Sequence, residues 1–286
     1  GGIGSTHNYA GFTENYDLPN KSAYAESCAT VGSIIWNHRL LKLTKNANFA
    51  DVIERALYNG LLSGVALSGD KFFYVNPLAS DGDHHRKGWF HVSCCPPNIA
   101  RLLASLEKYI YLHLDNQIFV NLFISSEAEF EISNQAISLK QTTKYPWGNT
   151  LKFKIKVEKS ADFALNIRFP DWAEEASLFI NGREEMIIVK NNYLTINRSW
   201  KNDDQLELIF DMPVRRVKSH PEVEANRDKF ALMKGPLVYC LEEVDNQEPI
   251  DQLIIPDGLK VEVKYEEILN GINLLEGAAL IEDISD

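Results

Sequence analysis

The sequence predicts a multi-domain chain of mixed α and β structure, a helical N-terminal part followed by an antiparallel β-sandwich. Three observations carry that reading. Apolar residues recur at three- and four-residue spacing up to about Asp115 and at every second position beyond it. The charge divides at the same place: residues 1–115 hold ten acids and ten bases, and the rest holds thirty and nineteen, which is the whole of the net −11. Three of the four cysteines (Cys28, Cys94, Cys95) and six of the seven histidines (His7, His38, His84, His85, His91, His113) also lie in the first part, an enrichment that marks a site rather than a surface.

The first helix is predicted over 23–43, with Ser22 as its cap and Val31, Ile34, Ile35 and His38 on one face. A second is predicted over 49–63. A third follows Pro96-Pro97, where proline is preset for the first turn, and carries Ile99, Leu102, Leu103, Leu106 and Ile110 as an apolar stripe. A loop with a short strand at 72–75 joins the second to the third. Beyond Asp115 the alternating residues mark strands: Ile118 and Val120, Phe130 and Ile132, Leu151 to Val157, Phe163 to Phe169, Leu178 to Ile180, and Leu206 to Phe210. Asn181-Gly182 and Asn191-Asn192 are the turn signals between them.

A length of 286 residues suggests about two domains with ample core. The acidic balance, with no dense Lys/Arg run, excludes a phosphate backbone as partner. No stretch approaches the roughly 20 apolar residues that span a bilayer, and the run Gly1-Gly2-Ile3-Gly4-Ser5 lacks the charged and apolar regions of a signal peptide. Reduced thiols lean towards the cytoplasm, with the periplasm as the alternative.

Glu26-Ser27-Cys28 and Cys94-Cys95-Pro96-Pro97 are the chemically suggestive pieces. Cys94 and Cys95 precede a predicted helix N-terminus, where unpaired N–H groups and the helix dipole favour thiolate. Three thiolates and a carboxylate form a plausible tetrahedral set for Zn2+. Against it, residues two apart on a regular helix point about 200° from each other, so Glu26 and Cys28 reach one ion only if the helix is starting there. A disulfide or buried free thiols are the competing readings. Cys240, in Leu237-Val238-Tyr239-Cys240, reads as core, and His84-His85 as a solvated loop.

Several longer motifs then stand out in order: Gly1-Gly2-Ile3-Gly4-Ser5, Tyr16-Asp17-Leu18-Pro19-Asn20, Tyr24-Ala25-Glu26-Ser27-Cys28, Phe73-Tyr74-Val75-Asn76-Pro77, Trp89-Phe90, Cys94-Cys95-Pro96-Pro97-Asn98 and Gly235-Pro236-Leu237-Val238-Tyr239. On these the sequence resembles glycoside hydrolase family 127, the β-L-arabinofuranosidases. The resemblance implies the last helices of an (α/α)6 barrel over 1–114, a β-sandwich over 115–212, and a further, incomplete β-rich region over 213–286. It implies a retaining glycosidase acting on β-linked L-arabinofuranose or a related plant-glycan sugar, with Glu26, Cys28, Cys94 and Cys95 holding zinc. Cys94 would be the nucleophile and Tyr74 would line the sugar site.

Two departures accompany the resemblance. The family's acid/base glutamate falls at Ala10, and the nearest carboxylate is Glu14. Most barrel helices are also absent, so the apolar faces of 31–43 and 99–110 are expected to lack partners unless an N-terminal half or a second copy covers them. A non-catalytic homologue that keeps the zinc site as a staple and binds carbohydrate or a partner is the alternative.

Overall fold

A computed structural model describes residues 2–281. Gly1 of the first motif and the end of the predicted 213–286 region lie outside the described residues.

The first helix, α1, spans Ser27–Thr44 and so begins four residues later than the capping signal suggests. Residues before it are spent on pairing: Ala25 N–H donates to Gly4 O and Asn76 N–H to Ala25 O, while Glu26 bridges Val75. Ser22 therefore caps nothing. Lys45, in the left-handed region, closes α1 by donating to Leu41 O at 2.8 Å. The second helix, α2, spans Asn48–Ala56 and continues through a π turn (Leu57–Leu61) and a 3-10 turn (Leu62–Gly64). The third, α3, spans Cys95–Leu103; the predicted stripe is interrupted at 104–106 and resumes in a single turn, α4, Glu107–Ile110.

These helices do not leave their apolar faces bare. Val31, Ile34 and Leu41 of α1 form one core with Ile53, Leu57 and Leu61, and with Ile99, Leu102 and Ile110. The expectation of unpartnered faces over 31–43 and 99–110 is thus corrected for the inner side. Helices at this spacing bury one stripe against each other and leave the opposite one outside. On α1 that outer stripe carries Trp36 and Leu43, 68% and 77% exposed.

Next come β1 (Tyr111–Leu114), β2 (Gln117–Val120), β3 (Ser126–Ile132), β4 (Gln135–Thr143), β5 (Thr150–Val157), β6 (Ala161–Arg168), β7 (Ala176–Ile180), β8 (Arg183–Glu185), β9 (Val189–Lys190), β10 (Tyr193–Trp200) and β11 (Gln205–Phe210). One sheet runs β1-β2-β6-β10-β9 and the other β3-β4-β5-β11-β7-β8. Leu151, Phe153 and Ile155 share a single core with Phe163, Leu165, Ile167 and Leu194 of the opposite sheet, which makes this unit a sandwich. Asn181-Gly182 and Asn191-Asn192 all have positive φ, as the tight hairpins β7-β8 and β9-β10 require. The antiparallel expectation fails at one pair. β2 and β6 run parallel because the chain crosses into the other sheet between them, and a period of two carries no information on strand direction.

After the sandwich come a three-stranded antiparallel sheet, β12 (Val214–Val217), β13 (Ala231–Lys234) and β14 (Leu237–Tyr239), and two small ribbons. Cys240 lies just past β14 and is exposed, which corrects its reading as core.

Two polar junctions hold these units together. Arg168 of β6, fully buried, bonds Asp51 and Glu54 of α2 and donates from Nε to Asn121 O at 2.7 Å. Asn59, in the π turn of α2, donates to Pro236 O at 2.8 Å and accepts from Val238 N–H at 2.9 Å, taking the place of a strand partner at β14.

Candidate functional site

The cysteine cluster is assembled by the pairing that delays α1. Ala25 has a φ of 34°, and Glu26 is extended (φ −65°, ψ 136°) at the N-cap position. Glu26 N–H donates to Ile3 O, Ser27 N–H to Tyr74 O, and the Ser27 hydroxyl to Phe73 O. Asn76 Nδ2 reaches both Ala25 O and Ser27 Oγ. With Glu26 outside the helix and Cys28 in its first turn, the opposition expected of residues two apart on a helix disappears. On the other side, Cys94 is the N-cap of α3 and Cys95 its first residue, with Pro96-Pro97 next.

One ligand atom each from Glu26, Cys28, Cys94 and Cys95 lies within 4.8 Å of all the others. Cys28 Sγ is 3.4 Å and Cys94 Sγ 3.9 Å from Cys95 Sγ. Glu26 Oε1 is 3.6 Å from Cys94 Sγ and 3.8 Å from Cys95 Sγ. A tetrahedron with ligands about 2.3 Å from its centre has edges of about 3.8 Å, so the spacing suits one small dication. It is too long for a disulfide, and all of these cysteines are free.

The sulfurs differ in their company. Tyr74 Oη sits 3.0 Å from Cys94 Sγ. Asn98 Nδ2 donates to Cys28 Sγ at 3.0 Å. Cys95, fully buried, faces Glu26 Oε1 and Tyr74 O, both acceptors. Burial pushes the Cys28 thiol up to about 11 and holds Cys95 far above the usual thiol range. The hydrogen bond to Cys94, then burial, raises Tyr74. Without a counter-cation such a group stays protonated, and a bound dication inverts that preference.

Aromatic rings extend outward from Tyr74: Phe90 edge-on at 5.5 Å, Tyr24 at 6.5 Å, and His7 at 4.8 Å from Tyr24. His84 is not simply solvated. It stacks on Phe73 and bonds Val75 O at 2.9 Å through Nε2, while Arg86 lies over the Phe73 ring at 4.3 Å. His85 is exposed. Ala10 is exposed at positive φ (48°) in a turn over Asn8–Ala10, and Glu14 is exposed in a bend rather than a helix.

Family models extend this picture across the chain. The β-L-arabinofuranosidase GH127 catalytic domain matches residues 1–108, the GH127 middle domain 117–212, and the glycoside hydrolase family 127 C-terminal domain 214–270. The chain belongs to glycoside hydrolase family 127. It is 32% identical over 99% of its length to a non-reducing end β-L-arabinofuranosidase of Bifidobacterium longum subsp. longum, covering 46% of that protein. Among solved structures, a GH127 β-L-arabinofuranosidase from Geobacillus stearothermophilus T6, Ara127N, is 42% identical with a TM-score of 0.95, over 100% of this chain and 47% of that one. The GH127 β-arabinofuranosidase BT3674 is 38% identical with a TM-score of 0.94, over 98% of this chain and 47% of that one. The chain thus spans about half the length of the relatives it matches. The mixed α and β fold with several sheets is shared with these family structures.

Proposed function

We propose that this chain forms the zinc-bearing part of a retaining glycosidase acting on β-linked L-arabinofuranosides or related plant-glycan sugars. The observation that carries this reading is the convergence of Glu26, Cys28, Cys94 and Cys95 at edge lengths suited to tetrahedral zinc, with Tyr74 Oη on Cys94. The β-L-arabinofuranosidases among its relatives supply the substrate class.

Zn2+ bound to this cluster would keep the thiols ionised and moderate their basicity, so that one sulfur can both attack and leave. Cys28, Cys95 and Glu26 fix the ligand geometry from two helix starts. Cys94, half-buried with the Tyr74 hydroxyl against its sulfur, attacks the anomeric carbon; a C–S bond forms as the C–O bond to the leaving alcohol breaks. Water then displaces the sulfur with a second inversion, which restores the original configuration. Tyr74 holds the nucleophile through its hydroxyl and presents its ring to the sugar. In the two-carboxylate design of most retaining glycosidases, a carboxylate plays the part of this sulfur.

We also propose that α1, α2 and α3 are the last helices of an (α/α)6 barrel. The outer stripe of α1, with Trp36 and Leu43, would then face helices beyond this chain's span, supplied by an N-terminal half or by self-association. The division into 1–114, 115–212 and 213–286 follows from the same reading.

Ala10 favours a second reading, a homologue that retains a structural zinc site and binds carbohydrate or a partner without turnover. A methyl group supplies no proton to a departing alkoxide. Incubation of the complete protein with an aryl β-L-arabinofuranoside separates the two. The first reading predicts phenol release or a sugar adduct on Cys94, both lost in Cys94→Ser. Zinc-loaded protein that yields neither would leave the second reading in its place.

A further inference from the structure

The sulfur of Cys28 has a hydrogen-bond donor whose orientation is itself controlled. Asn98 Nδ2 lies 3.0 Å from Cys28 Sγ, and Asn98 Oδ1 accepts from Arg101 Nη2 at 2.7 Å. An amide can be turned by half a revolution with little change of shape, so the identity of the atom facing sulfur depends on its other partner. A guanidinium only donates. Arg101 therefore claims the amide oxygen, and only the NH2 end is left for Cys28. Asn98 and Arg101 are three residues apart on α3, one surface neighbour from the next. The Asn98 backbone N–H meanwhile donates to Cys94 O at 3.2 Å, so the first turn of α3 that carries Cys94 and Cys95 also reaches Cys28 across the cluster.

We propose that Asn98 is a positioning residue for the metal centre, oriented by Arg101 so that its amide donates to the Cys28 sulfur and draws electron density from it. The inference rests on the zinc reading above. Its chemistry is twofold: a hydrogen bond to a thiolate lowers the energy of the sulfur lone pairs, which sets the charge-transfer energy, and an outer partner of this kind holds the ligand it touches in its binding orientation, which sets the affinity. The three sulfurs thereby differ in their side-chain partners: Cys94 has a phenol against it and Cys28 an amide aimed by a cation, whereas Cys95 has neither and lies against Cys28 Sγ, Glu26 Oε1 and Tyr74 O.

The test uses the full chain loaded with Co2+, whose sulfur-to-metal charge-transfer band reports electron density on the thiolates, together with Zn2+ affinity from chelator competition. Asn98→Ala should move the band to lower energy and weaken Zn2+ binding about tenfold. Asn98→Asp keeps the shape and the Arg101 pair but replaces the donor with a negative charge. It should weaken binding further while leaving the Tm of the metal-free chain unchanged or raised, since a carboxylate near the start of α3 suits the helix dipole. Arg101→Met should shift the band in the same direction by less. Unchanged band and affinity in both Asn98 variants would overturn the proposal, as would a loss of affinity that follows Tm with no spectral shift. A wild-type chain with no thiolate charge-transfer band would remove the zinc reading itself, before Asn98 is altered.

Discussion

The sulfurs of Cys28 and Cys95 lie 3.4 Å apart although sixty-seven residues separate them in the chain. Neither is paired in a disulfide. The separation is bridged by backbone pairing of 25–27 with 3–4 and 74–76, which presents one sulfur from the start of α1 and the other from the start of α3. A site built from two helix starts and a short bridge should lose metal when either start is disturbed.

Removing one ligand is the first consequence. Cys95→Ser should abolish stoichiometric zinc binding at micromolar chelator, while Cys240→Ser, at an exposed position outside the cluster, should leave it intact. Elemental analysis after dialysis against chelator reads both.

The helical core gives a second. Leu41 is fully buried and Leu43, two residues on, is 77% exposed. Leu41→Ala should destabilise by about 2–5 kcal/mol, and Leu43→Ala by no more than about 0.5 kcal/mol. Denaturant unfolding of the two variants checks whether α1 packs by its inner stripe within this chain.

The buried junction gives a third. Burial pushes the Asp51 carboxyl up to about 6, the attraction of Arg168 offsetting only part of that penalty. A carboxyl raised in the folded state binds its proton more readily folded than unfolded. Its contribution to stability is therefore greatest at low pH and declines as pH rises from about 4 to about 6. Asp51→Asn removes that decline, so the stability of the variant relative to wild type should improve by about 1–3 kcal/mol across this window. A difference that is flat with pH would contradict it. Arg168→Met leaves two carboxylates buried without their cation and should cost about 3–5 kcal/mol.

Ala10 gives a fourth. In the complete protein, Ala10→Glu should raise hydrolysis of an arabinofuranoside with a poor leaving group by about 10² or more, and that of an activated aryl glycoside much less in the first step. Parallel kinetics on the two substrates measure the contrast. Equal rates before and after on both, with no adduct on Cys94, would favour the non-catalytic reading.

What was legible in the sequence follows from what kind of force places each residue. Alternation in Leu151 to Val157 and the Asn181-Gly182 turn are local signals, and β5 and the β7-β8 hairpin form where they indicate. Ser22 is a local signal too, but long-range pairing of Ala25 and Glu26 overrides it and moves the start of α1 to Ser27. The parallel pairing of β2 with β6 depends on a crossover that no local pattern encodes. Within the site, the Glu26 and cysteine motifs identified the cluster, whereas Asn98, His84 and the Arg168 junction were missed. Asn98 stands in the Cys94-Cys95-Pro96-Pro97-Asn98 motif and was the one with a signal; Arg168 meets Asp51 and Glu54 only through the tertiary fold.

X-ray absorption at the zinc edge of the purified, metal-loaded chain tests the central claim most directly. The account predicts one zinc per chain with about three sulfur neighbours near 2.3 Å and one oxygen near 2.0 Å. A shell of nitrogen and oxygen alone, or a sulfur–sulfur distance of about 2.05 Å between any two of Cys28, Cys94 and Cys95, would contradict it.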